Sequence, residues 1–406
     1  MTILALNHIL LIAVPSLIVL ILVITFLLIL LLKWKSRNSS SSTTTTSSFR
    51  KSSIDKSQIS NAIAIGYSPD MRSCMYNGKL ICSTALKERK RGGGQVFTYK
   101  ELELATDGFS PENVIGNGGF GVVFRGVLRD GMEAAIKVLH REGKQGEREF
   151  RMEVDLLSRL HSCYLVTLLG YCADQQHRLL VFEFLPNGSL HRHLHPAPCN
   201  HHYRSLDWGT RLRIALDCAR GLEFLHEHTV PAVIHRDFKC SNILLDHNFR
   251  AKVSDFGMAR TGSDKVNGQV MTRVLGTSGY VAPENASTGR LTTKSDVYSY
   301  GVVLLELLTG RVPVDITRPP GEHSLVSWAL PRLTNREKVV EMVDPTLQGQ
   351  YSKKDLIQVA AIAAVCVQSE AEYRPLITDV VQSLIPLVKS QESTSRYHHH
   401  IVVPVL

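Results

Sequence analysis

Hydrophobic and polar positions divide the chain into three stretches of different texture. Ile9 to Leu32 is 24 residues without a charged side chain, and roughly 20 apolar residues suffice for a helix to cross a hydrocarbon core. Residues 33–95 have no period: ten consecutive Ser or Thr fill 39–48, polar and basic sequence follows, and Gly92-Gly-Gly94 comes near the end. Such a composition buries too little apolar surface to offset its ordering entropy, which predicts a disordered linker. The folded part begins near Phe97. There Thr98-Tyr-Lys-Glu101 reads as a capping box opening a short helix, with Leu102, Ala105 and Phe109 placed to dock it. Val122-Val-Phe124 followed by Asp130-Gly131 predicts a strand ending in a hairpin turn. Ala134-Ala-Ile-Lys137 predicts another strand, and Phe150, Val154 and Leu157 recur at helical spacing.

Charge changes the picture of the middle stretch. The net charge is +9, and residues 33–95 hold twelve Lys or Arg against three acids, so the remainder is balanced. A basic segment beside a neutral folded part points to an acidic membrane surface as partner and away from nucleic acid. Lys33, Lys35 and Arg37 follow the apolar run, and Leu-Leu-Leu ends it, which favours an uncleaved anchor over a secretory signal peptide. Lys and Arg favour the cytoplasmic side. The expected order is a short extracytoplasmic segment (1–8), a single-pass transmembrane helix (9–32) in the plasma membrane, and a cytoplasmic remainder without a ligand-binding ectodomain. Asn38-Ser-Ser40, Asn187-Gly-Ser189 and Asn285-Ala-Ser287 fit the glycan-acceptor pattern and stay bare in that orientation. Lys87-Glu-Arg-Lys-Arg91 is either a contact for anionic lipid or a solvated linker. The eight cysteines show no C-x-x-C pairing, which argues against a zinc site or a disulfide framework. His191, His193, His195, His201 and His202 crowd one stretch with Cys199, but their spacing fits no ligand pattern and Pro196 and Pro198 mark a solvated loop.

Gly116-Asn-Gly118-Gly-Phe-Gly121 is a G-x-G-x-x-G. In a dinucleotide-binding unit these glycines open a helix; here a strand follows, so the loop joins two strands as a lid over phosphates. No G-x-x-x-x-G-K-[ST] is present, and a P-loop ATPase is not supported. Lys137 is placed to reach phosphates, with Glu153 as the anion to hold it. His235-Arg-Asp237-Phe-Lys239-Cys-Ser-Asn242 comes next, Asp255-Phe-Gly257 stands 18 residues beyond Asp237, and Ala282-Pro-Glu284 closes the segment. Each triplet is common by chance; all of them in this order and at these separations are not.

On these motifs, residues 97–388 resemble the eukaryotic protein kinase family, most closely plant receptor-like and receptor-like cytoplasmic kinases related to Pelle and the interleukin-receptor-associated kinases. Phe97-Thr-Tyr-Lys-Glu-Leu102, Gly170-Tyr-Cys172, Pro186-Asn-Gly-Ser-Leu190 and Ser295-Asp-Val-Tyr-Ser-Tyr-Gly301 extend the likeness along the domain. It implies an α+β two-lobed protein kinase fold, with a small β-rich N-lobe (96–185), a larger helical C-lobe (186–389) and a C-terminal tail (390–406), preceded by the transmembrane helix and the disordered linker. It also implies ATP-dependent phosphorylation of serine or threonine on protein substrates in membrane-proximal signalling, with ATP and Mg2+ (or Mn2+) as cofactors and a receptor kinase as an activating partner.

By the same likeness Asp237 accepts the proton of the substrate hydroxyl, Asp255 and Asn242 hold metal, and Lys137, kept in place by Glu153, fixes the phosphates. Ile115, Gly116, Asn117, Gly118, Gly119, Phe120, Gly121, Val122 and Val123 cover the nucleotide. Val123, Ala135 and Leu244 sandwich adenine, and Glu183 and Leu185 supply backbone bonds at a hinge behind Phe182. Lys239 steadies the γ-phosphate and Thr277 braces Asp237 and Lys239, both marks of serine/threonine specificity. Arg236, with Arg260, implies a switch in which a phosphorylated activation loop supplies an anion. Thr272 is the first candidate, ahead of Thr261, Ser263 and Thr277, and Met271 stands where relatives often have a serine. Glu284 is expected to pair with Arg374, and Asp296 to brace the catalytic loop. The rival reading, a silent pseudokinase scaffold, predicts loss of Lys137, Asp237, Asn242 or Asp255, and all four are present.

Overall fold

The computed structural model describes residues 94–400 apart from 120, 141–142, 198–204, 263–269, 272–275 and 348, together with 75–76 and 79–80. Strands β1 (Gln95–Val96), β2 (Val114–Gly118), β3 (Gly121–Val127), β4 (Glu133–Leu139), β5 (Leu168–Ala173) and β6 (Arg178–Glu183) form one sheet in the order β1-β5-β6-β4-β3-β2. Its pairs are antiparallel except β1 with β5. In β4, Ala134 and Ile136 pack in one cluster with Phe97 and Leu102, while Ala135 packs against the other, as the two-residue period of a strand requires. The central strand β6 is buried on both faces, hence its unbroken Leu179-Leu-Val-Phe182.

One face is covered by α1 (Tyr99–Ala105), which opens with the expected capping box: Glu101 N donates to Thr98 Oγ1 and Thr98 N to Glu101 Oε2. Leu102 is fully buried, with Ala105 and Phe109 against the same cluster. The folded part starts slightly earlier than expected, at β1. That strand lies so close to β5 that a Cβ on Gly170 would meet Gln95 O at 2.0 Å. The other face receives α2 (Gly143–Leu157) through Phe150 and Leu157.

The larger lobe is helical: α3 (Leu190–Leu194), α4 (Trp208–Glu227), α5 (Pro283–Thr288), α6 (Thr293–Thr309), α7 (Leu325–Leu333), α8 (Arg336–Glu341), α9 (Lys353–Cys366) and α10 (Ile377–His400). Helix α6 is its centre, with every residue from Ser295 to Thr309 buried, and Tyr300 Oη donates to Ala215 O of α4 at 3.0 Å. Short strands β7 (Val233–Ile234), β8 (Ile243–Leu245), β9 (Ala251–Val253) and β10 (Arg260–Thr261) lie where the lobes meet; β8 pairs with β9 and β7 with β10.

The two-lobed α+β architecture is as the resemblance implies, but its transmembrane part is corrected. No helix among the described residues is long and apolar enough to cross a membrane, and residues 9–32 lie outside the described residues. The apolar helix that is described, α6, owes its composition to protein core on all sides. Within the stretch expected to be disordered, Met75–Tyr76 pairs antiparallel with Lys79–Leu80. Helix α10 continues through residues expected to form a tail, as far as His400.

Candidate active site

Lys137 lies on β4, and its ammonium reaches Glu153 Oε1 of α2 at 2.8 Å and Asp255 Oδ1 at 2.9 Å. The sheet register puts Val123 opposite Lys137, and Phe182 opposite Ala135. One cation thus faces two carboxylates in a buried place. Burial pulls the Lys137 ammonium down, but the Asp255 and Glu153 charges outweigh it and hold its pKa above the usual range. Burial pushes Glu153 up to about 7, with Asp255 adding to the effect against Lys137. Burial also acts to raise Asp255, yet the Lys137 charge prevails and its carboxyl stays below the ordinary value. Glu153 Oε2 is buried with no hydrogen-bond partner among the described residues. The cluster holds two carboxyl groups to one ammonium.

Across from it stands the loop after β7. Asp237 Oδ1 accepts from Thr277 Oγ1 at 2.9 Å, its Oδ2 lies 2.7 Å from Lys239 Nζ, and Lys239 in turn donates to Thr277 Oγ1 at 2.8 Å. Asn242 Nδ2 donates to Asp237 O at 2.9 Å and to Oδ2 at 3.1 Å. The amide nitrogen is therefore engaged and the Asn242 carbonyl oxygen is left as the acceptor. Beneath, Asp296 of α6 accepts from His235 N at 2.8 Å and Arg236 N at 2.9 Å, and His226 of α4 meets the same carboxylate at 2.8 Å. Arg236 has φ +72 and Asp255 φ +66, left-handed conformations that a non-glycine residue keeps only where its surroundings dictate them. The predicted brace from Asp296 is present. So is the pairing of Glu284 with Arg374, a two-point contact at 2.8 and 2.9 Å.

The glycine-rich loop is of another kind. Gly116 pairs with Val123, Asn117 with Val122 and Gly118 with Gly121, with a register shift between Val114 and Gly116. Gly121 has φ +148 and a Cβ there would meet Val138 O at 2.2 Å, so the fold itself requires glycine. Gly118 and Gly119 have open space where a Cβ would go. Ile115 O accepts from Arg192 Nη2 of α3 at 2.5 Å, a link between loop and larger lobe. Phe120 lies outside the described residues. At the hinge, Glu183 N donates to Thr167 O at 3.0 Å and its carboxylate binds Lys252 Nζ at 2.7 and 2.8 Å. The Leu185 carbonyl accepts from Gly188 N at 3.1 Å, and Leu244 of β8 packs against the main core.

Arg260 and Arg148 lie within electrostatic reach of Arg236. Burial, then the charges of Arg260 and Arg148, pull the Arg236 guanidinium down to about 10. The sequence pattern identifies Arg236 and Arg260, but nothing in it singles out Arg148 among the charges of α2. His226 was missed likewise, since its partner is 70 residues away. Ser263 and Thr272 lie outside the described residues; Thr261 is on β10, and the Thr277 hydroxyl is engaged by Asp237 and Lys239.

Comparison with known proteins identifies the family. The family described as protein tyrosine and serine/threonine kinase matches residues 109–384. The chain is 52% identical over 300 residues to the receptor-like serine/threonine-protein kinase ALE2 of Arabidopsis thaliana, covering 74% of this chain and 39% of that protein. It is 52% identical over 312 residues to the probable serine/threonine-protein kinase PBL7 of the same plant, covering 75% and 82%. Against the serine/threonine-protein kinase PBS1 the identity is 50% over 310 residues, covering 75% and 68%. The chain therefore belongs to the protein kinase family, and its kinase domain is of the plant receptor-like and receptor-like cytoplasmic serine/threonine type.

Proposed function

We propose that this chain transfers the γ-phosphoryl group of ATP to serine or threonine hydroxyls of protein substrates, with the division into lobes at 96–185 and 186–389. The observation that carries the reading is the joined set Asp237–Lys239–Thr277–Asn242, facing a charge-deficient Lys137–Glu153–Asp255 cluster. Phosphoryl transfer asks little covalent help of a protein; rate comes from positioning and from neutralising charge. Asp237 orients the substrate hydroxyl and takes its proton. Lys239 and Lys137 hold phosphate oxygens, and Thr277 keeps Asp237 and Lys239 in register. The open space over Gly118 and Gly119 gives phosphates room to approach backbone N–H groups. Val123, Ala135 and Leu244 contact adenine, and Glu183 and Leu185 offer their backbone at the hinge.

The donor set fits magnesium, with manganese as a substitute: Asp255 carboxylate and Asn242 carbonyl are hard oxygen ligands, and the local excess of carboxylate over cation calls for one more positive charge. When bound, the ion neutralises the charge on the β- and γ-phosphates. Switching belongs to the same reading. Arg236 with Arg260 and Arg148 suits a phosphate on Thr272, placed by an upstream receptor kinase, and the basic excess of residues 33–95 favours work beside an anionic surface.

The test is transfer of labelled phosphate by the full chain with ATP and magnesium. Label on serine or threonine of a generic protein substrate is expected, with the Asp237→Asn chain roughly 10²–10⁴-fold slower. Label on tyrosine, or equal rates from the two chains, overturns the assignment. A Thr272→Ala chain with undiminished activity removes the switch alone.

A further inference from the structure

We infer that His191, His195 and Glu306 form a binding site for one zinc ion, separate from the phosphoryl-transfer site. The histidine-rich stretch is not a solvated loop at its start: Leu190–Leu194 is helix α3, and His195 follows at once. His191 and His195 are four residues apart, on one face of that turn, with ring centroids 5.0 Å apart. Glu306 comes from the middle of α6, more than a hundred residues later, and is fully buried. His195 Nε2 lies 2.9 Å from Glu306 Oε1. One ligand atom from each of the three residues falls within 4.8 Å of the other two. Three atoms no more than 4.8 Å apart lie within about 2.8 Å of a common point, against roughly 2.0–2.2 Å for zinc to imidazole and carboxylate; side-chain shifts of about half an ångström close the difference.

The chemistry of the donors selects the ion. Two imidazoles and a carboxylate suit a borderline transition metal and are a poor set for magnesium, which prefers oxygen and water. The Cys240 thiol donates to Glu306 Oε2 at 3.0 Å, which puts a sulfur beside the site as well. Tyr280 Oη holds the same oxygen at 2.7 Å and fixes the orientation of the carboxylate, as outer partners of metal ligands do. His191 is exposed, so the floor of the site is rigid and buried while one ligand stands open to arriving metal. His193 takes no part; it is buried and hydrogen-bonded to Asn187 O at 2.8 Å. Occupancy would tie α3, just beyond the hinge, to the central helix of the larger lobe.

The experiment uses the full chain, stripped of metal, titrated with Co2+ and then with competing Zn2+ in the presence of excess Mg2+. His201, His202 and His398–His400 are other ligands in the same chain, so the decisive comparison is with His191→Ala, which leaves them intact and alters only an exposed side chain. The unaltered chain is expected to hold one more equivalent than the variant, with tetrahedral Co2+ absorption that Zn2+ displaces and Mg2+ does not. The variant should bind that equivalent at least about tenfold more weakly. Zinc should raise the melting temperature of the unaltered chain more than that of the variant, while the two melt alike without metal. Equal stoichiometry and affinity in the two chains, or displacement by Mg2+, overturns the site.

Discussion

In the function proposed here, the glycine-rich loop and the loop that carries Asp237 serve one reaction, and they are built by opposite means. The first is a two-stranded edge with open space where side chains on Gly118 and Gly119 would stand, and an exposed arginine, Arg192, links it to the larger lobe. The second is held from below by a buried carboxylate that takes two successive backbone N–H groups, and from the side by the Asp237–Thr277–Lys239–Asn242 set. A lid must admit and release a nucleotide, so it keeps few contacts. A group that takes a proton must stand in one place to within a fraction of an ångström, so its contacts are redundant. The strained φ values follow the same division. Arg236 and Asp255 keep left-handed backbones because their surroundings hold them, whereas Gly121 has the one residue type that adopts its φ freely.

The sharpest way to break this contrast is to remove the support under the catalytic loop. Asp296→Ala leaves the His235 and Arg236 N–H groups and the His226 ring without their buried acceptor. With about 1–3 kcal/mol for each orphaned group, chemical denaturation should show a loss of several kcal/mol, and kcat should fall with it. A variant that loses stability but keeps kcat would mean that the loop does not depend on α6. Within the lid, Gly121→Ala should cost about 1–3 kcal/mol through its clash with Val138 O. Gly119→Ala, two residues away, should leave stability unchanged and raise KM for ATP; equal melting of all three chains would erase the distinction between a glycine the fold needs and one the ligand needs. The last effect, read as a slope against pH, concerns Glu153. Its pKa stands at about 7 in the folded chain against an ordinary 4.5. The folded chain therefore keeps a proton that the unfolded chain has lost between those values, and the contribution of Glu153 to stability falls as pH rises through that window. Glu153→Gln should flatten that part of the stability–pH curve, and an unchanged slope would mean that Lys137 keeps Glu153 ionised throughout.

Local chemistry was readable in advance wherever neighbours in sequence decide it. The capping box of α1, the turn at Asp130-Gly131 and the docking of Leu102, Ala105 and Phe109 depend on spacings of a few residues, and the structure has them as expected. The apolar run at 9–32 carried an expectation of a spanning helix that the described helices do not meet. Hydropathy reports what a segment avoids, not what surrounds it: α6 is as buried as a segment can be, and protein covers it.

What the sequence by itself determined is the set of chemical groups: an ordered series of motifs that names the lysine, acids and amide of the proposed phosphoryl-transfer site. Only the tertiary structure decided which of them share one charge, since Lys137 and Asp255 meet across 118 positions. It alone brought Arg148 within electrostatic reach of Arg236 and placed His191 and His195 near Glu306. The physical reason is that spacing along a chain fixes which face of one helix or strand a side chain occupies, whereas contact between distant elements depends on how whole faces pack.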